Sequence, residues 1–146
     1  MNRKLRVAVV CACLVLTGTF ALAAVPVAVF PNPIEFGTVP LNLPTQPVPV
    51  FLSNTSTTAV TVTSTTITGT SSGNFALYGP SCVGTISANQ SCEMYMTFDP
   101  SAMGNVTASL VIAETGVTTA ITIPLQGTGK SHSHYHITLA AYYLSQ

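Results

Sequence analysis

Hydrophobic and polar residues alternate along several short stretches of the chain, without the spacing of three and four residues that is typical of a long helix. Gly, Pro, Asn and Ser separate the stretches, as they do between strands. The clearest stretches lie at residues 34–37, 48–52, 60–63, 93–98, 107–112 and 121–125. One apolar face per strand favours antiparallel sheets packed face to face. The pattern therefore predicts an all-β sandwich of about seven short strands.

One predicted strand carries prolines. Val48, Val50 and Leu52 share an apolar face, but Pro47 and Pro49 have no backbone N–H to donate. We therefore expect this strand to lie at a sheet edge or to pair on one side only.

The first 23 residues have the pattern of an export signal. Residues 2–6 carry three positive charges, residues 7–16 are apolar, and Ala21-Leu22-Ala23 offers a small-residue cleavage site before Ala24. Lipoprotein processing at Cys11 or Cys13 is the less favoured alternative, because apolar sequence continues after both. The apolar run is too short for a spanning helix, so the mature chain is predicted to have no membrane span. The predicted location is periplasmic or extracellular.

The mature chain carries few charges. Of the four Lys and Arg residues only Lys130 follows the signal, against Glu35, Glu93, Asp99 and Glu114, so its formal charge is one minus four, or −3. A basic surface for nucleic acid is therefore not expected. The whole chain is 5% charged, whereas soluble domains average roughly 25%. Thr, Ser, Asn and Gln must fill the outward positions, and the Thr-rich stretch 55–70 indicates either ordinary strand propensity or a contact surface.

Two cysteines remain after the signal is removed. An even count in an exported chain predicts a disulfide between Cys82 and Cys92, closing a hairpin. Two buried free thiols are the alternative. With neither a Cys-x-x-Cys spacing nor a neighbouring cation, the bond is predicted to be structural, not redox-active.

The order of short motifs between residues 32 and 129 resembles that of the Hydin-like (ASH) immunoglobulin-like domains and their exported bacterial relatives, often labelled choice-of-anchor D. The matching segments are Ile34-x-Phe36-Gly37-x-Val39, Gly73-Asn74-Phe75, Cys82 with Ser91-Cys92, Phe98-Asp99-Pro100 with Gly104, Leu110-x-Ile112, and Ile123-x-Leu125-x-Gly127-x-Gly129. The resemblance implies an immunoglobulin-like sandwich, residues 24–129, used for structure or protein contacts and not for catalysis. The family's usual Asn-x-Gly turn is replaced here by Asn54-Thr55-Ser56.

Several motif residues have a predicted physical role. We expect Phe98 to fill the core at a strand end, and Asp99-Pro100 to begin a turn. Gly127 and Gly129 are predicted to lie at a strand end or turn, where a positive φ is needed.

Candidate chemistry is sparse. His132, His134 and His136 would face one side of a strand, where two could share Zn²⁺ or Cu²⁺, but a solvated polar linker is favoured because no acidic or Cys ligand lies nearby. Neither a nucleophile with its base nor an acid–base pair of carboxylates is visible. We predict no enzymatic activity, no cofactor and no small-molecule substrate. Glycosylation sequons occur at Asn54, Asn89 and Asn105.

Residues 130–146 form a predicted C-terminal extension that becomes apolar. Its candidate interaction residues are Tyr135, Ile137, Leu139, Tyr142, Tyr143 and Leu144. Exposing them to water is unfavourable, so we expect the segment to be ordered and to pack on its own domain, insert into a neighbour, or dock on a membrane or anchor. The sequence thus predicts an exported structural or protein-interaction module. The alternatives are a self-associating subunit of an extracellular assembly that uses its C-terminal strand and, less favoured, a metal binder that uses the histidines.

Overall fold

A computed structural model describes residues 26–132. The predicted signal peptide and residues 133–146, with His134, His136 and all six interaction residues of the extension, lie outside the described residues. The described part contains nine strands and one short 3₁₀ helix, Ser72–Asn74. The strands are β1 (Val27–Phe30), β2 (Ile34–Pro40), β3 (Val48–Asn54), β4 (Val60–Thr68), β5 (Phe75–Tyr78), β6 (Gly84–Ile86), β7 (Ser91–Phe98), β8 (Gly104–Glu114) and β9 (Ile121–Lys130).

The strands form two sheets. Sheet A has the order β1-β3-β7-β5 and sheet B the order β2-β9-β8-β4-β6. All pairings in the described chain are antiparallel except that of β2 with β9, which is parallel. The predicted all-β sandwich is confirmed, with nine strands instead of about seven. In the described part, no helix is long and apolar enough to cross a membrane.

The core lies between the two sheets and follows the predicted alternation. In β7 and β8 every second side chain is buried, and the neighbours between them face outward. The fully enclosed side chains are Ile34, Val50, Leu52, Met94, Met96, Phe98, Leu110 and Ile112. Period-two patterning therefore places the apolar side chains between the sheets, as the sequence indicates.

The proline-bearing strand β3 is an inner strand of sheet A, between β1 and β7. Its residues Val48 to Ser53 pair with β7, whereas only Phe51 to Asn54 pair with β1. Pro49 therefore lies where β3 is paired on one side only, which is the second of the two predicted arrangements. The missing N–H of Pro49 leaves no ladder bond unmade on the open side.

The predicted hairpin between the cysteines is wrong. Cys82 lies in the loop before β6, which pairs with β4 in sheet B, whereas Cys92 lies on β7 in sheet A. Between them the chain crosses from one sheet to the other. Ile86 on sheet B and Met94 on sheet A are both buried, and they enter the core from opposite sides.

At one end of the sandwich three aromatic rings meet. The ring centroids of Phe36, Phe75 and Phe98 lie 4.8 to 5.6 Å apart. Phe98 fills the core at the end of β7, as predicted. Gly127 lies against it within β9, and neither Gly127 nor Gly129 has a positive φ, so the predicted need for a positive φ at these two glycines is wrong. A Cβ on Gly127 would lie 2.5 Å from a Phe98 ring carbon, and close approach is what requires glycine.

Candidate interaction surface

The outer surface of sheet A presents two rows of large side chains. Register pairs Phe30 with Phe51 and then Glu93 in one row, and Pro49 with Tyr95 and then Tyr78 in the other. All six point outward, because Val29, Val50, Leu52, Met94, Met96 and Leu77 alternate with them and pack on the core. We call these six residues the aromatic face. With strands about 4.8 Å apart, it extends about 14 Å across the sheet.

The rings of the aromatic face are exposed to an unusual degree. Phe30 is 72% exposed, Tyr78 61% and Phe51 38%. Single exposed apolar residues are ordinary on proteins, but a contiguous patch of them commonly marks a contact site. Because large aromatic side chains lose little conformational entropy on binding, they often anchor such contacts.

One carboxylate lies within the aromatic face. Glu93 precedes Tyr95 on β7, and a hydrogen bond from the Tyr95 hydroxyl to Glu93 is the main cause of a raised pKa for Tyr95. The polar groups of Glu93 and Tyr95 lie on the same face of one strand. The face thus combines flat apolar rings with a small polar centre.

The outer surface of sheet B is different in character. Its outward rows carry hydroxyl and amide side chains, such as Thr66 beside Val111 and Thr122. A cleft of about 250 Å³ lies among Glu35, Gly37, Thr38, Asn105, Val106, Thr107, Gln126, Gly127 and Thr128. The amide of Gln126 donates to Glu35 at 3.0 Å, and the Thr128 hydroxyl donates to Asn105 at 3.1 Å. The polar groups of this cleft are hydrogen-bonded to one another, whereas the large exposed aromatic rings lie on sheet A. The outer surface of sheet A is therefore the stronger candidate for a contact site.

The Thr-rich stretch 55–70 contributes mainly to the ladder of sheet B. Thr63 donates to the carbonyl of Ala113 and Thr65 to that of Ser81, at 3.1 and 2.9 Å. Thr61 pairs with Thr85 at 3.3 Å. These contacts within the domain favour the structural interpretation of the stretch over that of a contact surface.

The disulfide ties the loop before β6 to sheet A. Cys82 and Cys92 are bonded, with their Cα atoms 5.8 Å apart. Cys82 is buried, and Cys92 packs against the core from β7. The loop before β6 belongs to neither sheet. Its C-terminal end continues into β6 of sheet B, and the disulfide attaches the loop to sheet A.

Removing this bond is expected to lower the free energy of unfolding by about 2.8 kcal/mol, the chain-entropy value for a loop of about eleven residues. Reduction of the wild type and the double substitution Cys82→Ala/Cys92→Ala should lower the melting temperature by the same several degrees. Thiol labelling of the unreduced, denatured protein should find no free Cys82 or Cys92. Two labelled thiols in exported protein would contradict the prediction.

Asn54 organises the turn between β3 and β4, where Asn54-Thr55-Ser56 replaces the family's Asn-x-Gly turn. The two N–H groups of the Asn54 amide nitrogen donate to three carbonyl oxygens, those of Thr58, Ile86 and Ser87, at 2.8 to 3.1 Å, so that one N–H is shared between two acceptors. The amide oxygen accepts from the backbone and hydroxyl of Ser56. Only 2% of the residue is exposed. The sequence identified Asn54 as a sequon and as the first residue of the altered turn motif, but not as a buried residue, and a glycan has no room on an amide nitrogen enclosed by these contacts.

Of the three histidines, only His132 is described. Its Nε2 lies 2.6 Å from the carbonyl oxygen of Leu41. His134 and His136 lie outside the described residues, so the spacing of the three rings stays a prediction. Among residues 26–132 no group of three His, Cys, Asp or Glu side chains is placed to hold a metal.

Glu114 is a carboxylate in the core series of β8. It follows Val106, Ala108, Leu110 and Ile112 at every second position and is 7% exposed. Neither carboxylate oxygen has a hydrogen-bond partner among the described residues. Desolvation by burial raises the pKa of Glu114. Such a group destabilises the fold when it is ionised.

Glu114→Leu is expected to raise the free energy of unfolding by about 1 to 3 kcal/mol at pH 7. Because the native pKa is raised above the unfolded value, the native state binds the proton more tightly. The cost of the wild-type carboxylate is therefore absent below the unfolded pKa, grows as the pH rises from the unfolded to the native pKa, and is complete above the native pKa. Chemical denaturation at pH 4 and pH 7 should show a larger gain at pH 7; an equal gain at both would rule out this explanation.

Comparisons with known proteins identify the fold. No protein-family model matches the sequence, and no curated protein matches it. Among solved structures, the ASH / PapD-like domain of human CEP192 has a TM-score of 0.53 and 13% identity, covering 89% of this chain and 99% of that domain. The secreted serine protease VesC from Vibrio cholerae has a TM-score of 0.53 and 17% identity, covering 65% of this chain. A family 123 glycoside hydrolase from Clostridium perfringens has a TM-score of 0.51 and 12% identity, covering 69% of this chain.

The matched portions differ in extent. This chain spans 21% of the protease and 23% of the hydrolase, but nearly the whole CEP192 domain. The fold is therefore an immunoglobulin-like sandwich of the ASH and PapD-like kind, which confirms the resemblance at the level of the fold.

Proposed function

We propose that this chain is an exported, non-enzymatic immunoglobulin-like module that binds a protein partner through the aromatic face. The observation that carries the proposal is the exposure of Phe30 and Tyr78 on a sheet surface whose only charge is Glu93. Removing exposed apolar surface from water is worth about 25 cal/mol per Å², which favours a covered state. The signal-like residues 1–23 and the Cys82–Cys92 disulfide support export.

The size of the aromatic face bears on the kind of complex. Two rows about 7 Å apart on a face about 14 Å wide enclose roughly 100 Å², well below the roughly 800 Å² per partner of a standard stable interface. We therefore propose a contact that either is transient or continues onto the flanking loops. A protein partner is favoured because rings without surrounding basic residues suit apolar side chains better than an anionic polymer.

The test uses a photoreactive benzoylphenylalanine in the exported fraction of the host. Replacing Tyr78 should give a discrete adduct with a partner protein, whereas replacing Thr122, exposed on the opposite sheet, should not. Adding Phe30→Ser to the Tyr78 probe should weaken partner binding about 5- to 30-fold, the range for loss of a hot-spot ring, while preserving the melting temperature. Equal adducts from both positions, or adducts unaffected by Phe30→Ser, would refute the aromatic face as the binding site.

A self-associating subunit of an extracellular assembly is the second candidate. It is favoured by the 5% charge content and by the apolar residues of 130–146. Light scattering of the mature protein across a concentration series tests it. Growth into larger species would favour this candidate, and a monomer at every concentration would count against it.

Metal binding by His132, His134 and His136 and membership of the choice-of-anchor D group are weaker proposals. The contact of His132 with the Leu41 carbonyl competes with a metal for the same nitrogen. Calorimetry with Zn²⁺ and Cu²⁺ tests the metal proposal, and no heat of binding at micromolar concentrations would exclude it.

A further inference from the structure

We propose that residues 133–146 cover the aromatic face of their own chain, so that a partner has to displace them. The part about the partner rests on the proposed function; the contact itself does not. The same chain has two apolar surfaces, the rings of sheet A and the segment from Tyr135 to Leu144, and exposure of either one to water costs free energy. Covering one with the other removes both costs.

The end of the described chain lies at the end of the sandwich where β7 also ends. The Leu41 N–H donates to the carbonyl of Lys130 at the end of β9, and the Leu41 carbonyl contacts His132. Residues 41–47 then lead to β3, and on the way the Thr45 N–H donates to the carbonyl of Phe98 at the end of β7. His132 therefore lies at the end of the sandwich where the chain passes from sheet B to sheet A.

The distance to be covered is short compared with the segment. Packed sheets are about 10 Å apart, and the row containing Tyr95 begins three residues from Phe98, another 10 Å or so along β7. About six extended residues span 20 Å, so residues 133–138 suffice. The remainder, residues 139–146, then lies over the rings and includes Leu139, Tyr142, Tyr143 and Leu144.

Charge and edge geometry favour the face over a strand edge. Residues 133–146 include no Asp, Glu, Lys or Arg, and the aromatic face carries only Glu93. The edge strands β1 and β5 have four residues each and β6 has three, and the seven-residue edge strand β2 is interrupted by a register shift between Glu35 and Thr38. The open part of β3 contains Pro49, which cannot donate to an added strand. A side-chain contact on the face avoids these obstacles.

Attachment to the same chain decides between self-coverage and capture of a neighbouring copy. Covalent attachment through a short linker gives an effective concentration in the millimolar range. Below that concentration the chain's own segment occupies the face before that of another molecule. The proposal therefore commits to coverage within one chain.

Photocross-linking of the purified, full mature chain tests the contact without any partner. Benzoylphenylalanine replacing Tyr142 should cross-link within the monomer to peptides that contain residues 28–30, 49–51, 76–78 or 93–97. Adding Phe30→Ser and Tyr78→Ser should reduce these products at least fivefold, whereas Thr66→Ser and Thr122→Ser on sheet B should leave them unchanged. A dimeric product that increases with protein concentration would overturn coverage within one chain. Products on sheet B, or none, would overturn the site.

A second measurement separates this proposal from the proposed function. Leu139→Ser combined with Leu144→Ser should abolish the intramolecular product and increase partner capture by a probe at Tyr78 severalfold. If this variant loses the intramolecular product but the Tyr78 probe captures no partner, the covering contact is supported and the proposed function is refuted. An intramolecular product that both tail substitutions leave intact would overturn the covering contact alone.

Discussion

Replacing Asn54 with leucine is expected to destabilise the domain by about 2 to 4 kcal/mol, since it removes the donor to the buried Ile86 carbonyl, the part-buried bonds to Thr58 and Ser87, and the acceptor of the Ser56 N–H. The carbonyls belong to the β3–β4 turn and to the end of β6, so one side chain ties sheet A to sheet B. The loss should appear in urea denaturation as a lower midpoint with an unchanged slope.

Two further substitutions make the Asn54 experiment specific. Asn54→Asp keeps the acceptor oxygen but replaces the donor with a charge facing carbonyl oxygens, so it should destabilise at least as strongly at pH 7. Asn105→Leu removes an exposed asparagine whose one side-chain bond is to Thr128, and it should change stability by no more than about 0.5 kcal/mol. A similar small effect at both asparagines would contradict the proposed role of Asn54.

Much of the fold follows from local alternation. Met94, Met96 and Phe98 on β7, and Leu110 and Ile112 on β8, are buried where the period of two places them. Such positions can be predicted because a strand has only two faces, and one apolar face must be covered.

The assignment of strands to sheets does not follow from local alternation. Cys82, the turn-like residues after Ile86 and Cys92 have the spacing of a hairpin, yet β6 and β7 belong to different sheets. A hairpin and a crossing between sheets bury the same residues, so their patterns are alike. The distinction depends on partners that are distant in sequence, such as Val60 opposite Ile86.

The aromatic face was missed for a related reason. Phe30, Phe51, Tyr78 and Tyr95 come from four strands, and each alone looks like a single exposed ring. Only the strand order β1-β3-β7-β5 brings them together. The available signal was the presence of Phe51 and Tyr95 at outward positions of otherwise regular strands.

Gly127→Ala is expected to cost about 3 kcal/mol, although the backbone conformation there suits any residue. The new Cβ would lie 2.5 to 2.8 Å from three ring carbons of Phe98, which is fully buried and stacked on Phe75. The ring has nowhere to move, because close-packed interiors transmit strain and do not absorb it. The matched control is Gly73→Ala, where an added Cβ meets nothing within 4 Å and the change should be close to neutral.

A compensating substitution tests the cause of the Gly127 effect. Phe98→Leu alone should also destabilise, because it removes buried ring atoms from the core. Combined with Gly127→Ala, it removes the clash, so the double variant should be more stable than the sum of the two single losses predicts, by at least about 1 kcal/mol. Strict additivity would mean that Gly127 is required for a reason other than contact with Phe98. The coupling, measured by denaturation of all four proteins, therefore decides whether this motif glycine serves the packing of the aromatic end.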